Sequence, residues 1–318
     1  MIKFVFLNRA TMGPDVYLTR PGFEQEWVEY YRTSPEQVAT RVEGADIVIA
    51  NKAPIRASTI AAQPQLKMIS VTATAYDVID VDACRQHDVQ VSNVRGYAKN
   101  TVPEHTFALI LGLRRSLKAY VDDVIDGEWQ RSNQFCFFNH PISDLAGSRL
   151  GIIGAGSIGQ SVGKIGSAFG MEVVYAARKG ESRFGGLYTA WDEVIETSDI
   201  LSIHAPLTDA TRNSISHDEF SRMQQKPLLI NTARGGFVDE HAVVDALLAG
   251  QISGIGFDVL SSEPPVADNP LLSVQHRPDV LLTPHVGWAS RQARQEVWRQ
   301  TIEHVEAYVN GIHLNTVT

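Results

Sequence analysis

Arg234 in NTARGG, Glu263 in SSEPP and His285 in TPHVGW are the side chains of this chain whose types together could do chemistry. A guanidinium grips a carboxylate through two parallel N–H bonds and polarises a carbonyl beside it. An imidazole delivers a proton to an oxygen that is gaining negative charge. An ordinary imidazole, with a pKa of about 6.5, is only about a quarter protonated at pH 7 and makes a poor proton reservoir. A neighbouring carboxylate favours the charged ring, and a rise of one unit, about 1.4 kcal/mol, makes it about three quarters protonated. Glu263 is the candidate for that carboxylate. Singly, each residue suits a blander role: a surface cation, a solvated loop acid, a satisfied turn histidine. Behind a nucleotide-binding unit, the three compose what hydride reduction of a 2-keto acid requires.

Such a unit stands at residues 150–159, LGIIGAGSIG. An apolar run containing Ile152 and Ile153 passes into glycines spaced as GxGxxG, followed by a helical pattern over 160–169 and a second apolar strand over 171–177. Gly154 serves the tight turn, Gly156 lets backbone N–H groups approach a pyrophosphate, and Gly159 lets the helix pack closely on the strand. The anion then sits at the positive end of that helix. An acidic residue is expected at the end of the second strand to bind the ribose hydroxyls of NAD. Ala177 stands there instead, followed by Arg178 and Lys179. Loss of the carboxylate removes a repulsion, and the two cations attract a phosphate. NADP(H) is therefore expected ahead of NAD(H).

The elements that must position these residues follow from patterning. At 318 residues the chain has room for two domains. Short apolar runs at 4–7, 47–50, 68–71 and 89–91 predict parallel strands, with helical patterns between them such as 24–31 and 60–63. That alternation marks a doubly wound α/β sheet. The loop at 72–77, TATAYD, lies at a strand's C-terminal end, where its N–H groups can receive a carboxylate. Thr101 and Glu104 are spaced as a capping box opening an apolar helix over 101–114, and Thr101 is a candidate cofactor contact. The aromatic-rich stretch 120–140 suits an arm onto a second subunit or a lid over substrate. Further strands at 200–203, 227–231, 254–259 and 280–282 run into His204–Pro206, Thr232–Arg234, Asp258 and Thr283–His285, so each polar cluster falls at one sheet edge. The last helix, 292–310, is expected to return to the first domain.

Composition excludes other classes. A net charge of −8 leaves no basic surplus for nucleic acid or an acidic membrane surface. Cys84 and Cys136, far apart and without a CxxC, indicate neither a disulfide framework nor a metal site. The short apolar run at the N-terminus suits neither a signal peptide nor a membrane span, so a cytoplasmic location is expected.

The strings GAGSIG, NTARGGFVDE, FDV with SSEPP, and TPHVGWAS, in this order, resemble the D-isomer-specific 2-hydroxyacid dehydrogenases over most of the chain. VTATAYDVIDVDAC, NTVPEHTFALILGL and FFNHPISDLAG are most similar to the glycerate dehydrogenase (hydroxypyruvate reductase) branch. The resemblance implies a Rossmann nucleotide-binding domain at 100–286 inserted in a flavodoxin-like substrate domain at 1–99 and 287–318. It implies Arg234, Glu263 and His285 as the catalytic trio, and the loop at Ala73, Thr74 and Ala75 as the carboxylate site, although the family's loop is richer in glycine. Trp288 is implied to border the substrate. Cofactor contacts carry over to Thr101, Ser157, Ile158, Pro206, Thr211, Thr232, Ala233 and Asp258, the last toward the nicotinamide amide, alongside Gly154, Gly156, Gly159, Ala177, Arg178, Lys179 and His204. A homodimer joined through 100–145 is implied, with no metal, and a substrate such as hydroxypyruvate or glyoxylate reduced to the D-hydroxy acid. Alternatives are a broader reductase of larger keto acids such as phenylpyruvate, and a dinucleotide-sensing protein like the corepressors of this fold.

A carboxylate about 4 Å from a phosphate charge repels it by about 1 to 4 kcal/mol between bulk water and a protein surface. Ala177→Asp should therefore lower the ratio of kcat/KM for NADPH over NADH by about tenfold or more, and an unchanged ratio counts against the 177–179 assignment.

Overall fold

The computed structural model describes residues 1–318 and divides them into two compact units, Met1–Ala98 with Ala289–Thr318, and Lys99–Trp288. The first holds β1 (Ile2–Phe6), β2 (Gln25–Glu29), β3 (Ile47–Ala50), β4 (Met68–Val71) and β5 (Gln90–Asn93), in the order β2-β1-β3-β4-β5. All neighbouring pairs are parallel. This is the flavodoxin-like order, with its reversal between β1 and β3. Each of β3, β4 and β5 is buried along its whole length. That is why β3 and β4 read as nearly continuous apolar runs, IVIA and MISV, without alternation.

The helix expected over 24–31 is instead the edge strand β2. Its glutamates suggest a solvated helix face, but the segment pairs residue by residue with β1, and Trp27 stacks on Phe4 at 5.6 Å between ring centroids. Tertiary packing at an edge overrides a local pattern here. The final helix, Arg291–Val309, belongs to this same unit. Its Trp298 is fully buried, lies 5.2 Å from the Phe6 ring, and donates its indole N–H to Thr19 O at 2.9 Å.

The second unit holds β6 (Arg149–Ile153), β7 (Glu172–Ala176), β8 (Tyr188–Thr189), β9 (Ile200–Ile203), β10 (Leu228–Asn231), β11 (Gly254–Phe257) and β12 (Val280–Leu282). Their order, β12-β11-β10-β9-β6-β7-β8, is the Rossmann arrangement, reversing between β6 and β9. Alternate residues serve its two faces: Ile152, Ile200 and Ile230 pack with Phe107, Leu109 and Ile110 of the helix Thr101–Arg114, while Ile153, Leu201 and Leu229 pack with Val194, Phe220 and Ala242. The capping box expected at Thr101 and Glu104 does not form. Asn100 precedes the helix without a side-chain cap, and Thr101 is its first residue.

Register does the positioning. Asn231 of β10 lies opposite Phe257 of β11, and Phe257 opposite Leu282 of β12. Three parallel strands thus end level, so the segments carrying Arg234, Glu263 and His285 all leave from one edge of one sheet. No helix of the chain is long and apolar enough to cross a membrane.

Candidate active site

The nucleotide turn is shaped by what a Cβ would strike. Gly154 has φ +104°, and a Cβ there would lie 2.7 Å from both Ala205 N and His204 C. At Gly159 it would lie 2.0 Å from Gly154 O, so the helix Ser157–Ala168 sits directly on the turn. Above Gly156, by contrast, nothing lies within 4 Å. The first N–H groups of that helix, from Ser157 and Ile158, therefore face open space with no side-chain cap, as an incoming pyrophosphate requires. These residues fit a dinucleotide.

Around the turn, burial pushes the His204 imidazole down to about 3, so it is neutral at ordinary pH, and its Nε2 lies 2.8 Å from Ser202 Oγ. Thr211 Oγ donates to Pro206 O at 2.8 Å and accepts from Thr208 N, folding the adjoining loop. At the end of β7, Ala177 is buried and Arg178 is exposed with no ion-pair partner. Lys179 behaves differently from the sequence expectation. Its ammonium lies 2.5 Å from Glu219, whose side chain is wholly buried, and donates to Ser214 O at 3.2 Å. Desolvating Glu219 is tolerable only with such a partner, so Arg178 is the one of the two cations without an ion-pair partner.

The loop after β10 is clasped by the buried Asn231, which accepts from Ala233 N at 3.0 Å and donates to Arg234 O at 2.9 Å. Thr232 meets Thr106 of the long helix, hydroxyl to hydroxyl, at 3.0 Å. The Arg234 side chain is exposed, donates to Ala233 O at 2.7 Å, and pairs with no carboxylate. Its remaining donors suit an anionic ligand.

Glu263 and His285 come together although 22 residues separate them: Glu263 Oε2 lies 2.5 Å from His285 Nδ1. The other carboxylate oxygen accepts from Leu260 N at 3.1 Å. The two side chains are 32% and 29% exposed, open enough for a substrate to reach. Since Nδ1 faces the carboxylate, Nε2 is the ring atom left to meet a ligand.

His285 is held in the left-handed region, φ +53°, a conformation that favours glycine. Asp258 explains why it stays there. Its main-chain oxygen accepts from His285 N at 2.8 Å. Its carboxylate, 3% exposed, accepts from Thr283 Oγ at 2.6 Å, Val286 N at 2.9 Å and Gly287 N at 2.8 Å. His105 Nε2 lies 3.3 Å from the same carboxylate and 2.9 Å from Thr283 Oγ. Burial alone raises a carboxyl pKa, but the bonds from His105, Thr283, Gly287 and Val286 outweigh it, and Asp258 is held below the ordinary value. Thr101 Oγ donates to Gly287 O at 2.9 Å, so both Thr101 and Asp258, expected on the cofactor, are occupied in folding the turn. Asn231 and His105 were not singled out by sequence reasoning: the first sits inside NTARGG, and the second is hidden in an apolar helix.

In the first unit, Thr74 Oγ donates to Val94 O at 3.0 Å, and its carbonyl accepts from Asn93 Nδ2 at 2.7 Å. Neither secures the N–H groups of Thr74 and Ala75, which donate to no protein acceptor. Trp288 is partly buried and is the last residue of the second unit.

A Rossmann sheet with a pyrophosphate turn and a paired imidazole and carboxylate at its edge defines a nicotinamide-dependent oxidoreductase. Residues 107–287 match the family model for the NAD-binding domain of D-isomer-specific 2-hydroxyacid dehydrogenases. A glycerate dehydrogenase of Methylorubrum extorquens is 42% identical, over 99% of this chain and 98% of that protein. A hydroxypyruvate reductase of Blautia hydrogenotrophica is 32% identical over 99% of each. A crystal structure of a Thermus thermophilus protein superposes over 100% of both chains with a TM-score of 0.85 at 28% identity. The chain belongs to the D-isomer-specific 2-hydroxyacid dehydrogenase family, in the branch that holds these two relatives.

A carboxyl with a lowered folded pKa contributes stability that is complete above its unfolded value of about 3.9 and is lost as pH falls through the folded one. Asp258→Asn leaves buried N–H groups facing an amide and should cost about 1 to 3 kcal/mol at pH 7. Urea unfolding should show that this cost shrinks below about pH 4; a pH-independent difference would contradict the assigned bonds.

Proposed function

We propose that this enzyme reduces a small 2-keto acid, hydroxypyruvate to the D-2-hydroxy acid or glyoxylate to its achiral 2-hydroxy acid, with NADPH preferred to NADH. The observation that carries the reading is the 2.5 Å contact of Glu263 with His285 Nδ1, which leaves Nε2 as the proton-donating atom. A nicotinamide held by the 154–159 turn would supply hydride to the substrate's carbonyl carbon. His285 gives its Nε2 proton to the ketone oxygen as that oxygen gains charge, and Glu263 stabilises the protonated ring before transfer. Arg234 binds the substrate carboxylate and polarises the carbonyl.

In the first unit, read as the substrate domain, the unpaired N–H groups at Thr74 and Ala75 suit a carboxylate, and Ala73 opens that loop. Trp288 is assigned to the substrate side. On the cofactor, Gly154, Gly156, Ser157, Ile158 and Gly159 hold the pyrophosphate. His204, Pro206, Thr211, Thr232 and Ala233 line its path, and Arg178 takes the 2′-phosphate beside Ala177. Thr101 and Asp258 act on the nicotinamide end chiefly by holding the 283–287 turn. Exposed apolar side chains between the long helix and β6, among them Leu117, Ile125, Phe135 and Phe138 at 59, 76, 88 and 83% exposure, support a homodimer through this segment.

Oxidation of NADPH and NADH with hydroxypyruvate, glyoxylate and phenylpyruvate tests the reading. Fastest turnover is expected with NADPH and the two small acids. Preference for phenylpyruvate would replace the substrate class, and tight cofactor binding without oxidation by any keto acid would overturn the enzyme reading in favour of a sensor. Glu263→Gln should lower kcat and shift the limb on which reduction fails with rising pH toward lower pH, because the neutral amide no longer favours the protonated ring. An unmoved profile removes Glu263 from proton transfer.

A further inference from the structure

Glu240 lies in NTARGGFVDE, at the start of the helix Glu240–Leu248, and its side chain is buried. A buried carboxylate is costly unless it is paired or richly hydrogen-bonded. No cation pairs with Glu240. Its oxygens instead accept from Ser261 N at 2.6 Å, Ser261 Oγ at 2.7 Å and Asn269 Nδ2 at 2.7 Å. Those donors stand near the two ends of the loop that carries Glu263. Asn269 is itself buried and accepts from Leu271 N at 3.0 Å, which joins that end to the following helical turn. The loop's other end is backed by Gly235, where a Cβ would lie 1.9 Å from Leu260 C and 2.3 Å from Ser261 N. The neighbour of Arg234 and the approach to Glu263 are thus in direct backbone contact, with Glu240 bonded across the joint.

We propose that Glu240 is a positioning residue for the proton-donating pair: by clamping Ser261 and Asn269 it fixes the loop that sets the Glu263 carboxylate against His285. Asp258 and His105 lie beneath the 283–287 turn that carries His285, and Arg234 immediately precedes Gly235 in the chain. Asp239 and His241 flank Glu240, with Asp239 occupied in capping the helix through His241 N and Ala242 N. A carboxylate, rather than a glutamine, suits the place because all three bonds require an acceptor.

The inference rests on the proton-donor reading of His285, and the test separates the two. Steady-state reduction of hydroxypyruvate is followed against pH in the wild type, Glu240→Ala, Glu240→Gln, Glu263→Gln and the Glu240→Ala/Glu263→Gln double variant, with NADPH binding measured by fluorescence. Displacing a catalytic group by about 1 Å can cost on the order of a hundredfold. Glu240→Ala should lower kcat ten- to a hundredfold, leave NADPH binding unchanged, and move the limb at rising pH toward lower pH, as Glu263→Gln does. Glu240→Gln, which keeps an acceptor for Ser261 N, should fall between. On the Glu263→Gln background, Glu240→Ala should move the limb no further. A uniform loss of kcat with an unmoved profile, or a full further shift in the double variant, overturns the proposal. If Glu240→Ala does not fold, Glu240→Gln against wild type carries the same comparison. Absence of keto-acid reduction by the wild type would overturn the functional reading alone. A histidine-selective NMR titration of His285 would then still test Glu240, and an identical titration in wild type and variant would refute it.

Discussion

One buried carboxylate governs where the imidazole stands. Asp258 emerges from β11 with its oxygens directed at the next strand's exit, where they collect a hydroxyl and two backbone N–H groups. Left to itself, His285 would avoid a positive φ, a strain on the order of 1 to 3 kcal/mol. The bonds to Asp258 over-determine the turn and hold the strained residue in place. Because β10, β11 and β12 end in register, the same edge offers a guanidinium from one loop, a carboxylate from the next and the imidazole from the third. The fold's contribution to chemistry is this level edge, and the hub's is the aim of one ring.

The nucleotide half works by subtraction. Side chains are missing at Gly154 and Gly159 because backbone occupies the space, and missing over Gly156 because that space stays open. At the end of β7 a carboxylate is missing, and one of the two cations that follow is drawn to Glu219. The selectivity proposed here therefore depends on an absent charge at Ala177 and a single available guanidinium at Arg178, a simpler device than the sequence suggests.

Much of the architecture is legible in the residues because parallel strands buried on both faces read as short apolar runs. The run at 47–50 coincides with β3, 68–71 with β4, 200–203 with β9 and 280–282 with β12. The glycine spacing is legible for the same kind of reason, since the turn admits no other residue at two of its three positions. The edge strand β2 was not legible, because Glu24 just before it and Glu26 and Glu29 within it mimic a helix face and only pairing with β1 decides the matter. Nor were the bonds that aim the site. An aspartate ending a strand looks identical whether it meets a ligand or a neighbouring turn, and nothing in the spacing links Lys179 to Glu219 or Glu240 to Asn269. Contacts between distant loops depend on strand order and register, which sequence fixes only collectively.

In the proposed reaction the imidazole held by Glu263 gives the proton, and the cofactor site stands independently of it. This is tested most directly in His285→Gln, by measuring NADPH binding and hydroxypyruvate reduction on the same preparation. Binding at wild-type affinity with kcat reduced about a hundred- to ten-thousandfold is the expected result. Reduction at close to the wild-type rate would contradict the account.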